Sequence, residues 1–177
     1  MSIKKDLALG KKAEQYLINI LEENEISWDN VEYVDRSLYD IHFTWDNHND
    51  LNRIKKEYTI EVKYDVYSSK SGNIAIEIYN PIKGKPSGVG ITKADFWCHI
   101  VGTLDNMYLT TVPLLKKYID KHPPLRVIHR AGDGNATICL YKQEKILSIF
   151  KKINTNNIKS VIEEYNNDNC WINFNWS

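Results

Sequence analysis

The sequence predicts an α/β fold in which a central mixed β-sheet is flanked by helices. Three observations support this prediction: apolar residues recur at helical spacing over residues 3–23, period-two alternation marks several short segments between residues 31 and 80, and strand-like and helix-like patterns alternate after that. The 177 residues, 42% of them hydrophobic and 26% charged, fit one globular domain. We assign residues 1–150 to this domain and expect a C-terminal helix and an Asn-rich tail, residues 151–177, to pack on it.

Charge and composition limit the classes of function. The 23 basic and 23 acidic residues cancel, so the chain as a whole does not attract polyanions, and contact with nucleic acid requires a local basic surface. Cys98, Cys139 and Cys170 are far apart and form no CxxC pair, which argues against a disulfide framework or a thiolate zinc site. There is no long apolar run and no signal-peptide pattern. We therefore expect a soluble cytoplasmic protein that does not enter a membrane.

The segment from residue 3 to about residue 23 predicts an amphipathic helix with one exceptional residue. At 100° per residue the apolar side chains fill one broad arc, and Glu14 falls inside that arc, between Leu7 and Leu21. A carboxylate in this position either lies at the edge of the apolar stripe and extends toward water, or points at a buried group that favours a negative charge. The residues alone leave both interpretations open.

Four segments after this helix alternate like β-strands, and three of them carry a carboxylate on the non-core face. The segments are "VEYVDR" (31–36), "LYDIHF" (38–43), "YTIEVKYDV" (58–66) and "NIAIEIYN" (73–80), and the last two are predicted to form a hairpin. The carboxylates are Asp40, Glu61 and Glu77, and Lys63 shares the face of Glu61. A solvent-facing strand can also carry such a neutralising pair, but carboxylates on three neighbouring strands favour a site.

A basic loop and a helix are predicted next, in "NPIKGKPSGVGITKADFWCHIVG". Thr92 and Asp95 resemble a capping box at the start of a helix through "ADFWCHIVG". Backbone N–H groups at a helix start beside lysines suit contact with phosphate, while a plain capped connection is the alternative. The residues that we expect to bind DNA in this loop are Lys83, Lys85, Ser87, Thr92 and Lys93.

The remaining segments predict a strand, two helices and a second hairpin. They are the strand "NMYLTT", the helix "VPLLKKYIDKH", the hairpin strands "LRVIHR" and "ATICLY", and the helix "KQEKILSIFKKI". Trp97 is expected to pack in the core as part of a helix. His99 has no second ligand at metal-binding spacing and is expected to be a packing or surface histidine, while Asp65 is expected to be a turn or surface charge.

The ordered set of a glutamate-bearing helix, a strand with an aspartate and a strand with Glu-x-Lys resembles the PD-(D/E)XK nuclease superfamily. The resemblance covers about residues 5–115 and rests on "GKKAE" (10–14), "YD" (39–40) and "EVK" (61–63). The glycine and glutamate spacing of "GKKAE" is most similar to that of Holliday-junction resolvases in this superfamily, and the chain as a whole also resembles its phage endonucleases. Tyr39 stands where the family motif has proline, and residues 44–57 form an insertion relative to small family members. The resemblance implies a restriction-endonuclease-like core.

The same resemblance implies a catalytic set of Glu14, Asp40, Glu61 and Lys63. Asp40, Glu61 and the Val62 carbonyl would hold Mg²⁺, with Mn²⁺ expected to substitute, and Lys63 would serve the attacking water or a phosphate oxygen. Glu14 would hold a further water or a second ion.

The implied function is a metal-dependent DNA endonuclease. We expect it to be structure-selective, to act on branched DNA in recombination, repair or phage DNA processing, and to work as a homodimer. The alternatives are a restriction-type endonuclease, a non-catalytic nucleic-acid-binding module with the same fold, and an interaction protein in which the matching residues are coincidental. Glu77 is a further ligand or a surface charge.

Overall fold

The computed structural model describes residues 3–29, 39–46, 55–131 and 136–167. Within these ranges the α-helices are α1 (Ile3–Glu23), α2 (Ser68–Ser71), α3 (Val112–Lys121), α4 (Gln143–Ile146) and α5 (Ile158–Asn167), and short 3₁₀ helices lie at Gly88–Gly90 and Leu147–Ile149. The strands are β1 (Ser27–Asp29), β2 (Ile41–Asp46), β3 (Lys55–Asp65), β4 (Asn73–Asn80), β5 (Lys85–Pro86), β6 (Phe96–Val101), β7 (Met107–Thr111), β8 (Arg126–Ala131), β9 (Ala136–Lys142) and β10 (Lys151–Ile153).

The central sheet has six strands in the order β1-β2-β3-β6-β7-β10. Strands β3 and β6 run parallel, whereas the other neighbouring pairs are antiparallel. A second, antiparallel sheet has the order β5-β4-β9-β8. The prediction of an α/β fold with a central mixed sheet flanked by helices is therefore confirmed.

Two cores cover the two faces of the central sheet. Helices α1 and α5 lie on one face, where Leu17 and Ile162 pack with Ile60 of β3; we call this the helix-side core. On the other face, Ile74 of the second sheet packs with Trp97 of β6 and with residues of α3; we call this the sheet-side core. Strand β6 lies between the two cores and is buried at every position. Strand β3, its parallel neighbour, carries the predicted site.

Helix α1 follows the apolar periodicity of its sequence and ends at a local turn. Ala13, Leu17 and Leu21 are fully buried in the helix-side core, while Glu14 beside them is half-buried. The chain leaves the helix through Glu25, whose positive φ of 57° lets the Ile26 N–H bond back to the Leu21 carbonyl at 2.9 Å. Within the described ranges, no helix has both the length and the apolar character needed to cross a membrane.

The helix predicted after Thr92 is wrong, because Phe96–Val101 forms strand β6 at the centre of the sheet. Both faces of this strand are covered, so its sequence is continuously apolar and lacks the alternation of a half-exposed strand. The residues that resembled a capping box have other partners. The Asp95 carboxylate accepts hydrogen bonds from the backbone N–H and the hydroxyl of Thr59, at 2.8 and 2.9 Å.

The hairpin predicted between β3 and β4 is also wrong, since the two strands belong to different sheets. Asp65 ends β3 by accepting hydrogen bonds from the N–H groups of Tyr67 and Ser68, at 3.0 and 2.9 Å. This bonding starts the short helix α2, which ends at Gly72 with a φ of 65°. The chain then enters the second sheet, where β4 pairs with β9 rather than with β3.

Of the other predicted elements, some are confirmed, one is partly wrong and one lies outside the described residues. Strand β7, helix α3 and the β8–β9 hairpin are confirmed. The helix predicted over "KQEKILSIFKKI" stops after α4, and its last residues form β10 because they pair with β7. Strand "VEYVDR" lies outside the described residues. Part of the predicted 44–57 insertion extends the β2–β3 pair, with Thr44 opposite Glu57, and residues 47–54 lie outside the described ranges.

Candidate active site

Strand β3 has two chemically different faces, as its alternation predicts. Ile60 and Val62 are buried in the helix-side core, and Glu61 and Lys63 therefore point to the opposite face of the central sheet. That face is not open solvent, because Glu61 is only 8% exposed. The interpretation of these two charges as the wet surface of an antiparallel strand does not hold for Glu61, since such a surface would leave the carboxylate in water.

Asp40 is fixed against β3 immediately before β2 begins. Its N–H donates a hydrogen bond to the Ile60 carbonyl at 2.9 Å, and its Oδ2 accepts one from the Val62 N–H at 2.7 Å. The first bond ties the residue before β2 to β3, and in the second the Asp40 side chain accepts a backbone N–H of β3. The Asp40 carboxylate is thus held beside the Glu61–Lys63 segment without belonging to a strand itself.

Glu61 forms an ion pair with Lys63 on the same face of the strand. The distance from Lys63 Nζ to Glu61 Oε1 is 2.5 Å, and the two side chains are 38% and 11% exposed. The hydroxyl of Thr92 donates to the second oxygen, Oε2, at 3.3 Å. Both oxygens of Glu61 therefore accept a hydrogen bond, which fixes the orientation of the carboxylate.

The charges of the cluster act on one another. Burial raises the pKa of Glu61, and the nearby charge of Asp40 raises it further, against the lowering effect of Lys63 and Thr92. Burial alone would lower the pKa of Lys63, but the negative charges around it, first Glu61 and then Asp40 and Glu77, raise this pKa above its ordinary value. The site thus concentrates negative charge around one protonated lysine, and Glu77 contributes to that field.

Asp40 and Glu61 suit a hard cation that needs few protein ligands. Within the described ranges, no group of three or more His, Cys, Asp or Glu side chains is arranged to hold a metal ion. Mg²⁺ is commonly bound through one or two carboxylates, with waters and phosphate oxygens as its other ligands. The Asp40 charge destabilises ionised Glu61, and each Glu61 oxygen keeps a second lone pair beside its hydrogen bond. A cation would relieve this repulsion, so the residues present fit Mg²⁺.

Thr92 has a role that the sequence did not indicate. It was expected to contact DNA at a helix start, but it is 4% exposed and precedes a strand, so the helix-terminus argument for phosphate binding does not apply. Its hydroxyl accepts from the Ala94 N–H at 3.2 Å while donating to Glu61, and its carbonyl accepts from Lys116 Nζ at 3.3 Å. Glu-x-Lys gives no signal for this partner, because Thr92 is 31 residues from Glu61.

The basic loop is built against β4 and leaves its lysines in solvent. The Asn80 side chain accepts from the N–H groups of Ile82 and Lys83, at 3.1 and 3.0 Å. A Cβ on Gly88 would lie 2.4 Å from the Glu77 carbonyl oxygen, so only glycine permits this close approach of the loop to β4. Lys83, Lys85 and Lys93 are exposed, and Ser87 is half-buried.

Hydrogen bonds and an ion pair bring together five of these residues: Asp40, Glu61, Val62, Lys63 and Thr92. Glu14 is half-buried on α1, which packs against the opposite, helix-side face of β3. Its place in the catalytic set stays a prediction, as does DNA contact by the basic loop.

No protein-family model matches the chain, and no match is found among curated proteins. Among solved structures, the chain is similar to a bacterial homing endonuclease, with 22% sequence identity and a TM-score of 0.43, over 64% of this chain and 72% of that one. We base no conclusion on a likeness of this size.

Proposed function

We propose that the chain is a metal-dependent DNA endonuclease that hydrolyses phosphodiester bonds. The observation that carries this proposal is the Glu61–Lys63 pair at 2.5 Å, in which the carboxylate is buried and the ammonium stays accessible. Beside it lies an Asp40 carboxylate that is bonded to the backbone between them. An ordinary surface ion pair would not need a second, half-buried carboxylate beside it, since placing like charges close together away from water costs free energy. Hydrolysis of a phosphodiester would use all three residues, two carboxylates to bind a cation and an ammonium to stabilise negative charge.

Asp40, Glu61 and the Val62 carbonyl would hold Mg²⁺, with Mn²⁺ as a substitute. When bound, the cation supplies charge neutralisation at the phosphate and lowers the pKa of water. The two carboxylates contribute the negative field that attracts it, and the Thr92 hydroxyl keeps Glu61 in one orientation. Glu14, on α1, is our proposed fourth member of the catalytic set.

Lys63 has the features of a group that stabilises developing negative charge. The surrounding carboxylates raise its pKa, so it is protonated at neutral pH and its ammonium can donate to the attacking water or to a non-bridging phosphate oxygen. Its side chain is 38% exposed, which leaves access for a substrate. A donor held in this position before the substrate binds needs little reorganisation during the reaction.

DNA is the substrate that we propose, because the exposed lysines of the basic loop suit contact with the phosphate backbone. The resolvase-like "GKKAE" segment supports branched DNA as the preferred form, in recombination, repair or phage DNA processing.

We further propose a cytoplasmic homodimer, with residues 1–150 as the nuclease domain. Packing of Ile158 and Ile162 of α5 in the helix-side core supports our assignment of residues 151–177 to the same domain.

A cleavage assay on linear, nicked, flapped and four-way DNA, with and without Mg²⁺, tests this function. We expect cleavage only with the metal, and fastest cleavage of the four-way substrate. Calorimetric titration with Mg²⁺ provides the parallel test of the site. DNA binding without cleavage of any substrate would favour the non-catalytic binding module, and cleavage confined to particular linear sequences would favour a restriction-type enzyme.

A further inference from the structure

Lys63 contacts an aromatic ring as well as Glu61. Its Nζ lies 5.8 Å from the centroid of the Trp97 ring, within the range of a cation–π interaction. The parallel register of β3 and β6 places Glu61 opposite Trp97 and Lys63 opposite His99. The ammonium is therefore held from two directions, by a carboxylate on its own strand and by an indole on the next.

The Trp97 ring is in turn fixed by a buried histidine. Its Nε1–H donates a hydrogen bond to His99 Nδ1 at 3.4 Å, and both side chains are 1% exposed. Because an indole N–H can only donate, Nδ1 of His99 must accept, and the proton of the neutral imidazole is then on Nε2. This nitrogen makes no hydrogen bond within the described residues, and it lies 3.9 Å from Asp65 Oδ2.

Asp65 completes the series and is itself firmly placed. Its carboxylate accepts from the N–H groups of Tyr67, Ser68 and Ala75, and its carbonyl accepts from Gly102 at 2.9 Å. These bonds tie the end of β3 to α2, to the second sheet and to the end of β6. Asp65 was expected to be a turn or surface charge, and the turn is present, but the side chain is only 16% exposed.

Packing alone does not account for this arrangement. A leucine or phenylalanine at either position would fill the sheet-side core without burying a polar group that needs a partner. The structure instead places four polar or charged groups next to one another. In spatial order they are the Lys63 ammonium, the Trp97 indole, the His99 imidazole and the Asp65 carboxylate. The Trp97–His99 hydrogen bond orients the indole ring that contacts Lys63, and the Asp65 carboxylate faces the other nitrogen of His99 at 3.9 Å.

We propose that Trp97 and His99 are positioning residues for Lys63, with the Asp65 carboxylate as the charged neighbour of the His99 Nε2–H. This inference rests on the proposed function for the catalytic role of Lys63, and it adds a reason for the contact. Glu61 would share its charge with a bound cation and would then hold Lys63 less strongly. The Trp97 ring has no formal charge, so a bound cation would not weaken its contact with Lys63. The ring would therefore keep the ammonium in place while Glu61 binds the metal.

The test compares His99→Leu, which removes the acceptor for Trp97, with His99→Asn, whose amide oxygen can replace Nδ1. Cys98→Ala is the matched control, because Cys98 is a fully buried neighbour on β6 that belongs to the helix-side core. NMR signals of the Lys63 Cε protons and ammonium report its position over the indole ring through the ring current. We expect these signals to move in His99→Leu, to return in His99→Asn, and to be unchanged in Cys98→Ala.

Single-turnover cleavage and DNA affinity are measured on the same proteins. We expect His99→Leu to slow cleavage roughly tenfold, the scale of a lost cation–π contact at a partly exposed site, with an unchanged Kd for DNA and recovery in His99→Asn. Equal losses in the Leu and Asn variants, or Lys63 signals that do not move in His99→Leu, would overturn the proposal. If wild-type protein cleaves no DNA while the Lys63 signals move as expected, the positioning of Lys63 stands and the proposed function fails.

If His99→Leu does not fold, a measurement on the wild-type protein still tests the proposal. Long-range ¹H–¹⁵N correlation of the His99 ring distinguishes the two tautomers. The proposal expects the proton on Nε2, and a ring protonated at Nδ1 would contradict it because Trp97 would then have no acceptor.

Discussion

Replacing Thr92 with valine removes two hydrogen bonds while nearly preserving the shape of the side chain. The hydroxyl donates to Glu61 Oε2 at 3.3 Å and accepts from the Ala94 N–H at 3.2 Å. A hydrogen bond to a charged group contributes about 1.5–3 kcal/mol, and its length places this one near the lower value. Loss of the hydroxyl acceptor for a buried N–H costs a further 1–3 kcal/mol or so. We expect the free energy of unfolding to fall by roughly 2.5–4.5 kcal/mol.

Thr92→Ser is the matched control, because it keeps the hydroxyl and removes only a methyl group. Its expected cost is about 1 kcal/mol. Urea denaturation of the wild type and both variants measures the difference, and the 4% exposure of Thr92 makes the hydroxyl inaccessible to compensating water. A valine variant as stable as the serine variant would show that the two hydrogen bonds contribute nothing.

The same substitution has a catalytic consequence with a defined sign. The hydrogen bond from Thr92 stabilises ionised Glu61 and so lowers its pKa. Without the hydroxyl the pKa of Glu61 rises further, and a higher pH is needed to ionise it. We expect the acid limb of the pH dependence of cleavage to move to higher pH in Thr92→Val and to stay in place in Thr92→Ser. An acid limb that is identical in all three proteins would refute the assignment of Thr92 to Glu61.

Three further predictions follow from the charges and surfaces of the molecule. Replacing Lys83, Lys85 and Lys93 by alanine should weaken binding to all DNA sequences alike and flatten its salt dependence; an unchanged salt slope in a filter-binding titration would place the DNA elsewhere. Burial would raise the pKa of Asp65, but His99 and backbone N–H donors lower it below the ordinary 3.8, so Asp65 stabilises the fold at neutral pH and loses this effect as the pH falls through its folded pKa. Urea titrations should therefore show Asp65→Asn to be less stable than wild type at pH 7 and similar to it in strong acid, and equal stability at pH 7 would contradict the sign. Light scattering should show a homodimer at working concentration, since a symmetric pair makes two coordinated cuts with one site each; a monomer that cleaves linear and four-way DNA equally would contradict this.

Local patterns predicted the parts of the fold that depend on local physics. The alternation in "YTIEVKYD" determines which side chains share a face of β3, so the pairing of Glu61 with Lys63 follows from the sequence alone. The periodicity of α1 and the position of Pro113 near the first turn of α3 are equally local, and both helices form as predicted.

The errors occurred where partners distant in sequence decide the structure. Residues 96–101 form a strand because β3 and β7 pair with them on both sides, and a short apolar run does not reveal this. Strand β3 does not form the predicted hairpin with β4, because the chain turns into α2 after Asp65. The contacts of Thr92 with Glu61 and of Trp97 with Lys63 depend on the parallel register of β3 and β6, which no spacing in the sequence encodes.

Single-turnover cleavage of four-way DNA by the wild type, Asp40→Asn, Glu61→Gln and Lys63→Ala tests the central claim most directly. Glu144→Gln and Lys145→Ala, at exposed positions of α4, are the matched controls. We expect full Mg²⁺-dependent cleavage in the wild type and both controls, and no cleavage in Asp40→Asn or Glu61→Gln, with DNA binding intact or tighter because phosphate repulsion is relieved. Lys63→Ala should be slower by a factor of roughly 10² or more. Wild-type rates in Asp40→Asn, Glu61→Gln or Lys63→Ala would remove that residue from the mechanism, and wild-type rates in all three would contradict the account.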